Sequence, residues 1–145
     1  MFNVEEWRDI PSVPQMQASS FGRVRLKPYT TANGRHYANP KPRLGSEQKA
    51  ASGRPGIPKR RLIYILGLRK CFNVARLVCE AFHGPQPSDK PVVLHVGEDP
   101  SNNRPENLRW GTQRENLNMP KVIEFFRSRT GEKSTRAISK NRKAA

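Results

Sequence analysis

Two cysteines in 145 residues cannot build a disulfide framework, and they are not spaced as a CxxC pair. That excludes zinc fingers and zinc-stapled domains, so no zinc is expected. Cys71 and Cys79 lie in apolar surroundings and are read as free, buried thiols. Apolar residues are also scarce, at 34% with a mean hydropathy of −0.81, which limits the chain to a small core and much surface. No apolar run reaches the 18 or so residues of a membrane span, and no basic amphipathic helix suggests a membrane surface. The start, Met1 to Trp7, lacks the charged-then-apolar order of a signal peptide, so a cytoplasmic location is expected. Acid is the scarcest resource: 12 Asp and Glu against 27 Lys and Arg leave a net charge of +15 and a pI near 10.8. Such a surplus needs a polyanionic partner, and with membrane set aside that partner is nucleic acid.

Positive charge gathers in three places. Arg23, Arg25 and Lys27 alternate, which puts them on one side of a strand, either as a phosphate-contacting ridge or as a solvated face. Between Lys41 and Lys70 there are nine basic residues, Lys59, Arg60 and Arg61 among them, against Glu47 alone. From Arg127 to Ala145 there are seven against Glu132 alone, a polar tail that reads as a non-specific nucleic-acid arm. Residues 28–58 lose all periodicity and are rich in Gly, Pro, Ser and Asn, so this stretch is predicted to be a flexible basic loop. Tyr29, His36 and Tyr37 at its start could stack on nucleotides or pack on sugars.

Ordered elements are predicted around these. Trp7 to Ile10 reads as a strand, Pro11 to Pro14 as a connector, Gln15 to Ser19 as a second strand, and Phe21 to Arg25 as a turn entering a third. Leu62 to Leu66 and Cys71 to Val74 form a hairpin. Val74, Leu77, Val78, Ala81 and Phe82 fall at i, i+3, i+4, i+7 and i+8, an amphipathic helix over 74–83 ended by Gly84-Pro85. His83, at its end, reads as a cap rather than a ligand. Lys121 to Arg127 reads as a short helix docked on the core.

Residues 92–116 concentrate the chemistry. Val92, Val93 and Val96 surround His95 and predict a short strand. Gly97 to Asn103 is dense in turn formers, and Asn107 to Trp110 can return as the partner strand. Thr112 and Glu115 are spaced as a capping box for a helix that holds Asn116. An imidazole titrates near neutrality and can take a proton from water. An asparagine amide oxygen is a hard, neutral ligand for a cation that keeps several waters.

This β-turn-β-helix with NNRPENLRWGTQRENL resembles the asparagine-rich phage branch of the HNH, or ββα-metal, endonucleases. The Arg-Leu-Val-x-x-Ala-Phe helix resembles the one preceding that motif. Trp7, Ile10, Gly22, Val24 and Arg25 resemble the small module that precedes it in phage and homing enzymes. The resemblance implies His95 as general base, Asn107 as the residue holding the loop, and Asn116 as a ligand of one divalent cation, Mg2+ or Mn2+. It also implies a phage-infected bacterial host. Leu94 stands where relatives often carry a further ligand, which leaves Glu98 and Asp99 as replacement ligands. Ala75 likewise stands where relatives often carry His.

The expected fold is α+β: small β-hairpins, a core helix and a ββα motif, with a basic flexible loop and tail. The divisions are a β module at 1–27, the loop at 28–61, the HNH domain at 62–120 with ββα at 91–119, and a helix and tail at 121–145. The expected function is metal-dependent cutting or nicking of DNA by a monomer, with Arg104, Arg109 and Arg114 clamping phosphates. The alternative is a catalytically impaired binder of DNA, RNA or a ribonucleoprotein on the same scaffold.

Overall fold

A computed structural model describes residues 4–38, 40–47 and 60–128. Lys49, Arg54 and Lys59 of the basic loop, and the basic tail past residue 128, lie outside the described residues. Strands β1 (Trp7–Ile10), β2 (Val13–Ser19) and β3 (Val24–Leu26) form an antiparallel sheet in that order. Its alternation buries Ile10, Val13, Met16, Ala18 and Val24 on one face. The connector between β1 and β2 is shorter than predicted. Val13 pairs with Ile10 and is buried, so Val13 and Pro14 belong to β2 and only Pro11-Ser12 turn the chain.

The stretch after β3 departs further from expectation. Strands β4 (Tyr29–Thr30) and β5 (His36–Tyr37) pair as a small hairpin on which the two tyrosine rings stack, 4.9 Å between centroids. A bridge joins Val24 to Arg43, and β6 (Ser46–Glu47) adds to the edge of β7 (Arg61–Ile65). Backbone pairing orders residues 29–37, 43 and 46–47 here without the apolar burial that periodicity reports. On the far side of β7 lies β8 (Lys70–Asn73), reached through a 3-10 turn. Cys71 on this strand is exposed, contrary to the buried thiol expected; Cys79 is fully buried, and burial pushes its thiol up to about 12.

Helix α1 (Val74–His83) is capped by Asn73, whose side chain accepts from Ala75 N–H at 3.0 Å, and ends at Gly84. It buries Val74, Leu77 and Val78 against the N-terminal sheet on one side and the following β-pair on the other. Buried Glu80 fastens the N-terminal sheet to this helix: its carboxylate accepts from Ser12 N–H and Ser12 Oγ, both at 2.7 Å. Arg8 lies 4.6 Å above the Phe82 ring at the same junction. Strand β9 (Val92–His95) then pairs antiparallel with β10 (Leu108–Gly111), matching His95 to Leu108 and Val93 to Trp110. Helix α2 (Gln113–Leu117) opens on the predicted capping box of Thr112 and Glu115. A third helical stretch covers 120–128, with Val122, Ile123 and Phe125 half-buried. None of the described helices is long and apolar enough to cross a membrane.

Candidate active site

His95 closes β9 and is half-buried, with its Nε2 2.9 Å from Asn103 Oδ1. An amide oxygen only accepts, so Nε2 carries the ring proton and Nδ1 is left with the lone pair. Burial lowers the imidazole pKa, outweighing the Asn103 bond and the Asp99 charge that act to raise it. The ring is therefore neutral near pH 7, the state in which it accepts a proton.

Asparagines also hold the loop that follows. Asn107 Oδ1 accepts from Gly97 N–H at 2.7 Å, and its Nδ2 donates to Asn102 O at 2.8 Å. Val96 N–H donates to the Asn107 carbonyl at 2.8 Å. Asn107 thus ties both ends of the 97–107 loop together, while the imidazole itself rests on Asn103. Sequence reasoning passed over Asn103. The doubled Asn102-Asn103 was a visible signal, but only the loop's path tells which of the two turns inward; Asn103 is 4% exposed and Asn102 is exposed.

A cleft of about 530 Å³ opens beside the imidazole, between the start of α1, strand β9, helix α2 and the 120–128 stretch. Asn116 and Glu98 line it with His95. Four cations also line it: Arg60, Arg61, Arg76 and Lys121. None of the four forms a salt bridge among the described residues. Two buried side-chain nitrogens have no hydrogen-bond partner among the described residues, Arg61 Nε in the cleft wall and Asn103 Nδ2 behind the imidazole. Buried donors left open cost stability, and such sites commonly serve function.

The other predicted positions are placed differently. Arg104 lies over Phe21 and near Glu106, Arg109 pairs with Glu115 at 3.0 Å, and Arg114 is exposed; none of the three lines the cleft. Arg23 pairs with Glu5, Lys27 with Asp9, and Arg25 stacks on Trp7 while bonding Gln17. Arg25 and Lys27 instead border a second groove with Tyr29, Tyr37, Tyr64 and Arg43. His83 does not cap its own helix: its Nε2 lies 2.7 Å from Pro105 O, across on the β-pair.

Two residues need particular conformations. Glu98 adopts a left-handed φ of 56°, with Oε1 accepting from Lys121 N–H at 3.3 Å. Leu94 is 1% exposed, and a Cβ on Gly111 would lie 2.3 Å from its Cδ1. Its side chain therefore fills the space over Gly111 and offers nothing to a cation.

A hard divalent cation that keeps most of its waters needs one or two oxygen donors from the protein. Asn116 and Glu98 both line the cleft and carry oxygens of that kind. Asp99 does not line it; its Oδ1 accepts from Ser101 N–H and Oγ, bonds that hold its pKa low. Among the described residues no three His, Cys, Asp or Glu gather to hold a metal.

Residues 73–118, which contain α1, the β-pair and α2, match the family model of the HNH endonucleases. This segment belongs to the HNH family. The HNH match begins at residue 73 and leaves the N-terminal sheet outside it. The chain as a whole is similar to one solved in a study of DNA binding and cleavage by the HNH homing endonuclease I-HmuI. The two are 27% identical with a TM-score of 0.52, over 94% of this chain and 68% of that one. No curated protein matches the chain.

Proposed function

We propose that the protein is an HNH-type DNA endonuclease that hydrolyses one phosphodiester bond per engagement, with His95 as general base. The observation that supports this most directly is the imidazole held through Nε2 by Asn103, with the lone pair left on Nδ1, beside a cleft whose cations form no salt bridge among the described residues. In the reaction His95 Nδ1 takes the proton of the attacking water, and Asn103 keeps that nitrogen as the basic one. Arg60, Arg76 and Lys121 hold the phosphate against the ring, and Asn107 keeps the loop from drifting. Mg2+ or Mn2+ on Asn116 and Glu98 would neutralise charge growing on the phosphate. DNA as substrate is supported by the HNH match and by what the structure of I-HmuI describes. The N-terminal sheet serves as the companion module of phage and homing enzymes, and the protein works as a monomer in the cytoplasm of a phage-infected host.

A second reading is favoured by buried Leu94 and by the thin donor set: a nucleic-acid binder whose catalysis is lost. Supercoiled-plasmid nicking at low salt, with Mg2+ or Mn2+ and an EDTA control, separates the two. Metal-dependent nicking that disappears in His95→Ala supports the endonuclease. Salt-sensitive binding with no nicking at any metal concentration removes it.

A further inference from the structure

We propose that Gly22 is a positioning residue for His95: the N-terminal turn 19–23 sets where Asn103 stands, and Asn103 sets the imidazole. The inference rests on His95 being the base, but it concerns a residue far from the motif.

The contact is backbone on backbone. A Cβ at Gly22 would lie 2.8 Å from the Asn103 carbonyl carbon, 2.9 Å from its oxygen and 3.2 Å from Arg104 N. Only a glycine lets the two chains approach so closely, and its φ of 77° also suits glycine. The turn that presents it is stiff. Fully buried Ser19 accepts through Oγ from Phe21 N–H at 3.2 Å and Arg23 N–H at 3.0 Å, and through its carbonyl from Gly22 N–H at 3.0 Å. Next door, the Arg104 guanidinium sits 5.0 Å above the Phe21 ring.

Asn103 depends on that support because little else aims it. Its Nδ2 has no partner among the described residues, and its one side-chain bond is the bond to His95. The placement of its backbone therefore decides where Oδ1 points. The neighbouring Asn102 and Asn107 are fixed by bonds within the loop, whereas Asn103 leans on the N-terminal turn. A sheet that lies outside the HNH segment thus acts on the base through one peptide unit.

The test uses an internal control. Gly34 has a φ of 83° with nothing within 4 Å of its would-be Cβ, so Gly34→Ala carries backbone strain without a clash. Imidazole 15N spectra of the 145-residue chain, with the His95 signals assigned by their loss in His95→Ala, are expected to show one tautomer protonated at Nε2. Gly22→Ala is expected to move both ring nitrogens toward the averaged values of a free imidazole. Its nicking kcat is expected to fall roughly 10- to 100-fold with DNA affinity unchanged, as misplacement of a reacting group does. Gly34→Ala is expected to change neither. A folded Gly22→Ala with wild-type ring signals overturns the proposal, whatever happens to kcat. If Gly22→Ala does not fold, Phe21→Leu removes the Arg104 stack without a clash; unshifted His95 signals there overturn it equally. The ring signals are read without substrate, so they judge this proposal even if the wild type cuts nothing.

Discussion

Two sets of arginines and lysines in this molecule look alike in sequence and differ in what surrounds them. On the N-terminal sheet, Arg23 and Lys27 each meet a carboxylate and Arg25 lies on an indole. In the His95 cleft, Arg60, Arg61, Arg76 and Lys121 line the space without a salt bridge among the described residues. A net charge of +15 calls for a polyanionic partner; the cations left out of salt bridges among the described residues mark where it would be drawn. Exposed pairs such as Lys27 with Asp9 are worth little to stability and weaken attraction for phosphate.

Several substitutions break or sharpen this contrast. The largest effect belongs to the base itself: His95→Ala should lower nicking by about 10²- to 10⁴-fold while leaving DNA binding intact, measured by plasmid nicking beside a mobility-shift titration. Arg76→Ala or Lys121→Ala should weaken DNA binding and reduce the slope of log K against log salt by about one. Arg23→Gln or Lys27→Gln should change that slope by much less. Equal slopes from both sets would erase the distinction drawn between them. Glu80→Ala, which strands Ser12 N–H at the junction of sheet and helix, should cost about 1–3 kcal/mol in urea unfolding without altering the salt slope.

Acidity offers a gentler probe. Because burial lowers the His95 pKa, the ring stays unprotonated to a pH below the ordinary imidazole value of about 6.5. The nicking rate should therefore rise with pH through a midpoint below that value and be flat above it, in a pH–kcat profile. A midpoint at or above it would mean that another group limits the reaction. The smallest effect expected is in Glu98→Gly, which relieves a left-handed φ and should raise stability by up to about 1 kcal/mol. The same change removes a carboxylate from the cleft, so the Mg2+ concentration needed for half-maximal rate should increase.

What the sequence made legible was local. Helix 74–83 could be read because its apolar positions repeat at helical spacing and Gly84 ends it. The Thr112–Glu115 box could be read because both of its hydrogen bonds close within four residues. Asn107 was visible through the resemblance to the HNH motif. Long-range neighbours were not visible: Arg60 and Lys121 lie 35 and 26 residues from His95 in sequence yet line its cleft. Arg104, Arg109 and Arg114 are nearer in sequence and do not. The two-residue strands at 29–30, 36–37 and 46–47 are too short to show alternation, so pairing there left no periodic trace. The exposure of Cys71 follows from its pairing with exposed Tyr64 on the outward face of its sheet, a matter of register rather than composition.

The end of α1 is gripped from two directions. Trp110 Nε1 donates to Gly84 O at 3.0 Å, and His83 Nε2 lies 2.7 Å from Pro105 O. The first joins the helix end to β10, the second to the turn just before it. Neither the helix nor the β-pair can open there without breaking contacts to the other, so the two form one cooperative unit. Their slowest amides should exchange with solvent deuterium at a shared opening free energy, while the hairpin at 29–37, with both strands exposed, should exchange early and on its own.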